Sequence, residues 1–135
     1  MKQIFLLLII SISIYSCAAN KTVSKDKANS QRIIGYWGET NGSTYSVAAF
    51  LNDGYYEAWI YDSNKKEEVL FTITGKWWIK NDSLFNQVTE INPTFPGIST
   101  GDMAVDQIVK ISKLEMILID EEGKSYKSSR VDNPY

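Results

Sequence analysis

The chain is 135 residues long, with 14 basic and 16 acidic side chains, no histidine, one cysteine, and an aromatic set of four Trp, eight Tyr and five Phe. Without histidine there is no imidazole general base, no Ser-His-Asp or Cys-His relay and no imidazole metal site, and a lone cysteine forms neither an internal disulfide nor a thiolate cluster. A formal charge of −2 argues against a phosphate-tracking surface, and so against nucleic acid as a partner, and the length fits one domain.

In chain order, Met1-Lys2-Gln3 is a short basic start, and Ile4 to Ile14 is an apolar run broken only by Ser11 and Ser13. Residues 1–16 therefore read as a secretory signal peptide. A membrane-spanning helix needs about 20 apolar residues, and this run stops short before Asn20 and Lys21. Its last residues, Ile14-Tyr15-Ser16-Cys17, resemble the lipobox of bacterial lipoproteins: an aliphatic residue, a tolerant position, a small residue and the cysteine. The resemblance implies cleavage before Cys17, a diacylglycerol on its sulfur and an acylated new amino terminus, with chains of the palmitate kind. At ~0.8 kcal/mol per buried CH₂, three such chains hold a protein on a membrane essentially permanently. The alternative is ordinary cleavage near Ser16 or Ala18, which leaves Cys17 a free thiol and a liability in an oxidising compartment. Ala18, rather than an inner-membrane-retaining aspartate, follows the cysteine. By the same resemblance the address is the outer membrane, facing the periplasm.

Residues 17–31 follow as the lipidated cysteine and a tether. Ala18 to Gln31 reads AANKTVSKDKANSQ, with one large apolar residue, Val23, and no hydrophobic period. The expectation is a disordered spacer with a reach of about 20 Å.

Residues 32–135 read as one all-β domain. Asn41-Gly42, Asp53-Gly54, Ser63-Asn64, Asn81-Asp82 and Glu122-Gly123 supply turn residues, several suited to the positive φ of tight hairpins. Between them the expected strands are Ile33 to Thr40, Thr44 to Leu51, Tyr55 to Asp62, Val69 to Lys80, Ser83 to Ile91, Gln107 to Ser112, Leu114 to Asp120 and Ser125 to Val131, with no convincing helix. Phe71, Ile73, Gly75, Trp77 and Ile79 alternate with Thr72, Thr74, Lys76, Trp78 and Lys80, the period of a sheet with one dry face. The long gap from Asn92 to Asp106 contains Pro93, Pro96, Gly97 and Gly101, which rule out a regular element across it. Its Phe95, Ile98 and Met103 either form a lid or pin the loop to the wall.

Three segments then carry a resemblance: Gly35-Tyr36-Trp37, Phe50-Leu51-Asn52-Asp53-Gly54-Tyr55-Tyr56, and Gly75-Lys76-Trp77-Trp78-Ile79 followed by Asp82-Ser83-Leu84. Their order and spacing resemble the lipocalin-like domains of bacterial lipoproteins, over about half of the domain. The resemblance implies a single antiparallel up-and-down β-barrel of about eight strands, partly open in some members, with an apolar interior. It also implies a basic residue near the last strand packed across the opening-strand Trp. Arg130 stands where it would do this to Trp37, a cation–π contact; the other role for it is a solvated edge residue.

A ring of about eight strands leaves an interior that side chains fill or that holds one small ligand. With Trp77 inward, Trp37, Phe71, Ile73 and Ile79 also face in, together with Tyr55, Glu57, Trp59 and Tyr61 or the opposite set. Gly75 on that face either bends its strand or makes room for a neighbouring ring. The ligand-binding candidates are Trp37, Tyr55, Trp59, Phe71, Trp77 and Phe95. No catalytic constellation is legible: Glu57, Asp62 and Glu90 have no fixed mutual geometry, and Gly97 to Gly101 mimics a nucleophile elbow without a His or a following helix. The chain reads as a non-enzyme with no metal and no cofactor. Two functions fit: a membrane-anchored barrel that binds a small apolar or amphipathic molecule, or a packed barrel that presents Trp78 and its lysine neighbours to an envelope protein or glycan.

Overall fold

A computed structural model describes residues 18–135. The expected signal peptide and the expected lipidation site at Cys17 lie outside the described residues. Among the described residues the fold is all-β apart from one short helix. Helix α1 covers residues 18–32. Eight strands follow: β1 (Gly35–Asn41), β2 (Thr44–Phe50), β3 (Tyr55–Asp62), β4 (Lys65–Lys80), β5 (Ser83–Asn92), β6 (Met103–Ile111), β7 (Glu115–Ile119) and β8 (Ser125–Val131). Each strand is antiparallel to the one before it, and β8 pairs back with β1, so the sheet closes into a ring.

Turn chemistry sets this meander. Asn81 and Asp82 both take positive φ between the paired Lys80 and Ser83, as a two-residue hairpin matched to the right-handed strand twist demands. Gly42, Gly54 and Gly123 also take positive φ in their turns. The expected strands recur with small shifts. The largest are an earlier start of β4, at Lys65, and of β6, at Met103, which shortens the irregular segment after Asn92.

Because the strands form a simple meander, the β2–β3, β4–β5 and β6–β7 turns share one end of the ring, and the other turns share the opposite end. Helix α1 covers the first of these ends, which corrects the expectation of a disordered tether over residues 18–31. Helix formers such as Ala18, Ala19, Lys21, Lys25 and Ala28 favour the helix locally. Its packing stripe, Thr22, Asp26, Asn29 and then Ile33, recurs at helical spacing, but only Ile33 is apolar. The helix therefore docks by hydrogen bonds. Both Asp26 carboxylate oxygens accept from the β4–β5 turn, one from the Asn81 N–H at 2.7 Å and one from the Asp82 N–H at 2.9 Å. Lys25 pairs with Asp82 at 3.0 Å, and Asn29 is buried. Among the described residues no helix is long and apolar enough to cross a membrane.

The helix hands over to β1 at a tightly bonded corner. Ile33 is fully buried, and its carbonyl accepts from Trp37 Nε1 at 2.7 Å. Arg130 lies over the Trp37 ring, its Cζ 4.0 Å from the centroid. The same guanidinium donates to the Ile34 carbonyl at 2.6 Å, the Arg32 carbonyl at 2.7 Å and the Lys113 carbonyl at 3.3 Å. It thus satisfies a carbonyl at the end of α1 that has no partner within the helix, while tying helix, β1 and the β6–β7 turn together. Gly35, at φ +123°, leaves the space this arginine occupies; a side chain there would run into Nη1.

Inside the ring, Ile33, Trp37, Phe50, Tyr56, Trp77, Leu84, Ile108, Met116 and Leu118 form one cluster. A second, smaller apolar layer lies outside. Val47 and Ala49 face outward from β2, yet both are buried. Val131, Pro134 and Tyr135 run beside this outer layer, with the Tyr135 ring 5.3 Å from Trp59 and its hydroxyl 3.1 Å from that of Tyr61.

Candidate functional site

Cross-strand register fixes which side chains enter the ring. Phe50 pairs with Tyr56, Ala48 with Ala58 and Ser46 with Ile60, and across the next ladder Tyr56 pairs with Gly75 and Ala58 with Ile73. Paired residues share a face, so the inward set on β3 is Tyr56, Ala58 and Ile60. Tyr55 and Trp59 are on the outer face and do not line the interior, which corrects their place among the ligand-binding candidates. Tyr55 is exposed, with the Lys76 ammonium 6.0 Å from its ring. Gly75 decides the matter: the Tyr56 ring occupies the space where a Gly75 side chain would be.

The other candidates divide by position. Trp77 is a core residue, edge-on to Phe50 at 5.7 Å, with its Nε1 donating to the Leu51 carbonyl at 3.0 Å. Phe71 is buried and stacks on Phe95 at 4.3 Å, so Phe95 pins the β5–β6 loop to the rim of the ring. Trp37 lines an open space. A pocket of about 140 Å³ lies inside the ring, with Trp37, Ala48, Phe50, Leu84, Met116 and Leu118 as its apolar lining and Glu39, Ser46, Asn86, Tyr126 and Ser128 as its polar one.

At the end of the ring opposite α1, a wider mouth of about 520 Å³ is lined by Asp106, Asp120, Lys124 and Asn41 together with Glu39 and Tyr126. Glu39 and Tyr126 line both spaces, so the pocket and the mouth meet at these two residues. Sequence reasoning missed Glu39, Asn86, Asp106, Tyr126 and Ser128. The signal was present on β1: strand alternation from an inward Trp37 places Glu39 inward two residues later.

These polar groups are poorly hydrated. Burial raises the pKa of Glu39; the Ser128 hydroxyl, which donates to it at 3.5 Å, pulls it back, and the nearby Asp106 charge adds to the rise. Asp106 is also raised, first by burial and then by the charges of Asp120 and Glu121, against a hydrogen bond from Tyr126. The Tyr126 phenol is pushed up by burial and by the Asp106 charge. Among the described residues Asn86 Oδ1 is buried without a hydrogen-bond partner. Glu57 and Glu90, by contrast, lie outside this group: Glu57 faces outward, and Glu90 is exposed. Asp62 accepts from the Asn64 N–H at 2.8 Å in its turn.

A carboxyl group whose folded-state pKa lies above its ordinary value of 3.8 destabilises the fold as pH rises through that folded value. Asp106→Asn is therefore expected to melt higher than the parent protein at pH 7, and the difference should shrink as pH falls to 4 and below. Circular-dichroism melting between pH 3.5 and 8 checks this. A variant that melts lower at pH 7 would show that ionised Asp106 supports the fold.

No protein-family model matches the chain, and no curated protein matches it either.

Proposed function

We propose that this protein is a lipid-anchored lipoprotein of the bacterial outer membrane, facing the periplasm. Its ring of strands is a lipocalin-like barrel that binds one small amphipathic molecule, and it acts as a carrier or sensor rather than an enzyme. The observation that carries the binding reading is the inner pocket meeting a wider mouth at Glu39 and Tyr126. Roughly 150 Å³ is enough apolar space for a molecule the size of benzene, so the pocket suits one ring or a short branched chain, with the ligand's polar end in the mouth. The lipid anchor rests on the Ile14-Tyr15-Ser16-Cys17 sequence, and the barrel family on the ordered Trp37, Tyr55 and Trp77 motifs together with the closed antiparallel ring.

Mass spectrometry of protein purified from its own membrane tests both parts. Under denaturing conditions the expected chain begins at Cys17 and carries the mass of a diacylglycerol and a third acyl group. Under native conditions a second, releasable mass of small-molecule size should accompany it. An unmodified chain beginning elsewhere removes the anchor, and a ligand-free native mass that no added small molecule shifts removes the binding function.

A second reading has one observation in its favour. On the outer face Trp78 stacks on Phe85 at 5.2 Å, with 7° between the ring planes, and stays 37% exposed between Lys76 and Lys80. Such a platform suits an envelope protein or glycan. In that case Trp78→Ala should abolish capture of the partner while leaving small-molecule binding unchanged.

A further inference from the structure

The space where pocket and mouth meet carries a surplus of carboxylates. Among the described residues Asn86 Oδ1 is a buried acceptor with no donor. Asp106 is only 7% exposed, Glu39 is half-buried, and among the described residues neither carboxylate forms an ion pair. Of the hydroxyls lining these spaces, Ser128 donates to Glu39 at 3.5 Å and Tyr126 lies beside Asp106, while Ser46 in the pocket and Thr40 and Ser125 at the mouth add neutral hydroxyls that bring no positive charge. Asp120 adds a third carboxylate at the mouth. Of the two lysines lining the mouth, Lys127 is held by Glu115 at 3.3 Å, which leaves Lys124 as the counter-charge there. The space between these groups thus offers acceptors and negative charge, above a floor of Trp37, Phe50 and Leu118.

An anion entering this space meets like charge in a setting of reduced dielectric. A neutral alcohol satisfies one acceptor and leaves Glu39, Asp106 and Asp120 facing the single counter-charge of Lys124. An ammonium or amidinium group brings several donors and the missing charge together, and charge-assisted hydrogen bonds are about twice as strong as neutral ones. The low polarity that raises the cost of an unpaired carboxylate also strengthens its attraction to a cation.

We infer that the barrel's ligand is a small organic cation, its ammonium or amidinium group held by Glu39 where pocket and mouth meet, with Asp106 on the mouth side, Asn86 Oδ1 on the pocket side and a compact apolar body against Trp37. The inference rests on the proposed binding function and specifies the chemistry of its ligand. The charged and titratable groups around that position are Glu39 from β1, Asp106 from β6, Asp120, Glu121 and Lys124 from the β7–β8 turn, and Tyr126 from β8.

Three probes of one shape separate the possibilities: benzylammonium, benzyl alcohol and benzoate, titrated into the purified full chain at pH 7.5 and followed by calorimetry and tryptophan fluorescence. Benzylammonium should bind at least about tenfold tighter than benzyl alcohol, a difference of about 1.4 kcal/mol, and benzoate should not bind. In Glu39→Gln the preference for benzylammonium over benzyl alcohol, both measured in that variant, should fall to near unity. Where that variant does not fold, carbon-detected NMR titration of the parent protein serves: benzylammonium should lower the pKa of Glu39 and Asp106. Equal binding of alcohol and cation, or an unmoved Glu39 and Asp106, overturns the cation and leaves the binding function standing. Failure of all three probes to bind overturns this inference, and failure of every small molecule tried overturns the binding function with it.

Discussion

Trp37→Ala is expected to destabilise the protein by about 3 to 5 kcal/mol, the range for truncating a fully buried large aromatic. Trp37 is 2% exposed and takes part in three separate interactions. It belongs to the core cluster that includes Phe50 and Met116, it donates to the Ile33 carbonyl just after α1, and it presents a face to Arg130. Alanine removes the packing, leaves the Ile33 carbonyl without its donor and leaves the guanidinium above a void. Stabilities of small domains fall between about 5 and 15 kcal/mol, so the variant retains little margin. Urea unfolding measures the loss as a lower midpoint at an unchanged slope. Trp37→Phe keeps the ring and loses the N–H; its expected cost is about 1 to 3 kcal/mol, that of a buried carbonyl left unpaired. A Trp37→Ala loss below 1 kcal/mol would mean that the corner is held by Arg130 and its backbone carbonyls alone.

Gly75→Ala is the second large effect, and it acts by excess rather than deficit. The added methyl would overlap the Gln87 carbonyl oxygen and the Tyr56 ring. A flexible side-chain end could move aside at little cost, but here one neighbour is strand backbone in the β4–β5 ladder, next to the bulge between Thr74 and Gly75. Overpacking of this kind costs about 1 to 3 kcal/mol and occasionally more; with backbone in the way, about 3 kcal/mol is expected, again read from the urea midpoint. Removing the ring as well gives the check. In Gly75→Ala combined with Tyr56→Ala, the two costs should sum to less than their separate values, because the methyl then enters space the ring has left. Strict additivity would place the whole effect on the Gln87 carbonyl.

The strands were legible because their signals are local: turn pairs such as Asn81-Asp82 and the clean alternation from Phe71 to Ile79 need no knowledge of the rest of the chain. The face of β3 was not legible. Tyr55, Trp59 and Tyr61 alternate with Tyr56 and Ile60, so both faces carry aromatics, and only the pairing of Tyr56 with Gly75 across the ladder breaks the tie. Helix α1 was missed for a related reason. Its contact stripe is made of Thr22, Asp26 and Asn29, and hydrophobic periodicity registers none of them. The polar lining of the pocket was readable in part, because Glu39 follows Trp37 by two residues on one strand. Asp106 was not, since its strand begins inside what reads as a proline- and glycine-rich gap.

The seam of the ring also determines when the molecule can be finished. Three residue pairs join β1 to β8, Tyr36 to Val131, Trp37 to Arg130 and Gly38 to Ser129, against seven pairs along the neighbouring β1–β2 hairpin. The bonds from Arg130 to Ile34 and Arg32 reach across 96 and 98 positions of the chain. A contact of that sequence separation forms late, since the entropy of closing the loop comes before any reward from the contact. Until the final strand arrives, β1 keeps a bare hydrogen-bonding edge and Trp37 lacks its cover, the features that expose a nascent sheet to pairing with the wrong neighbour. The completed ring has no such edge. During synthesis, the first strand therefore depends on the last one for its protection.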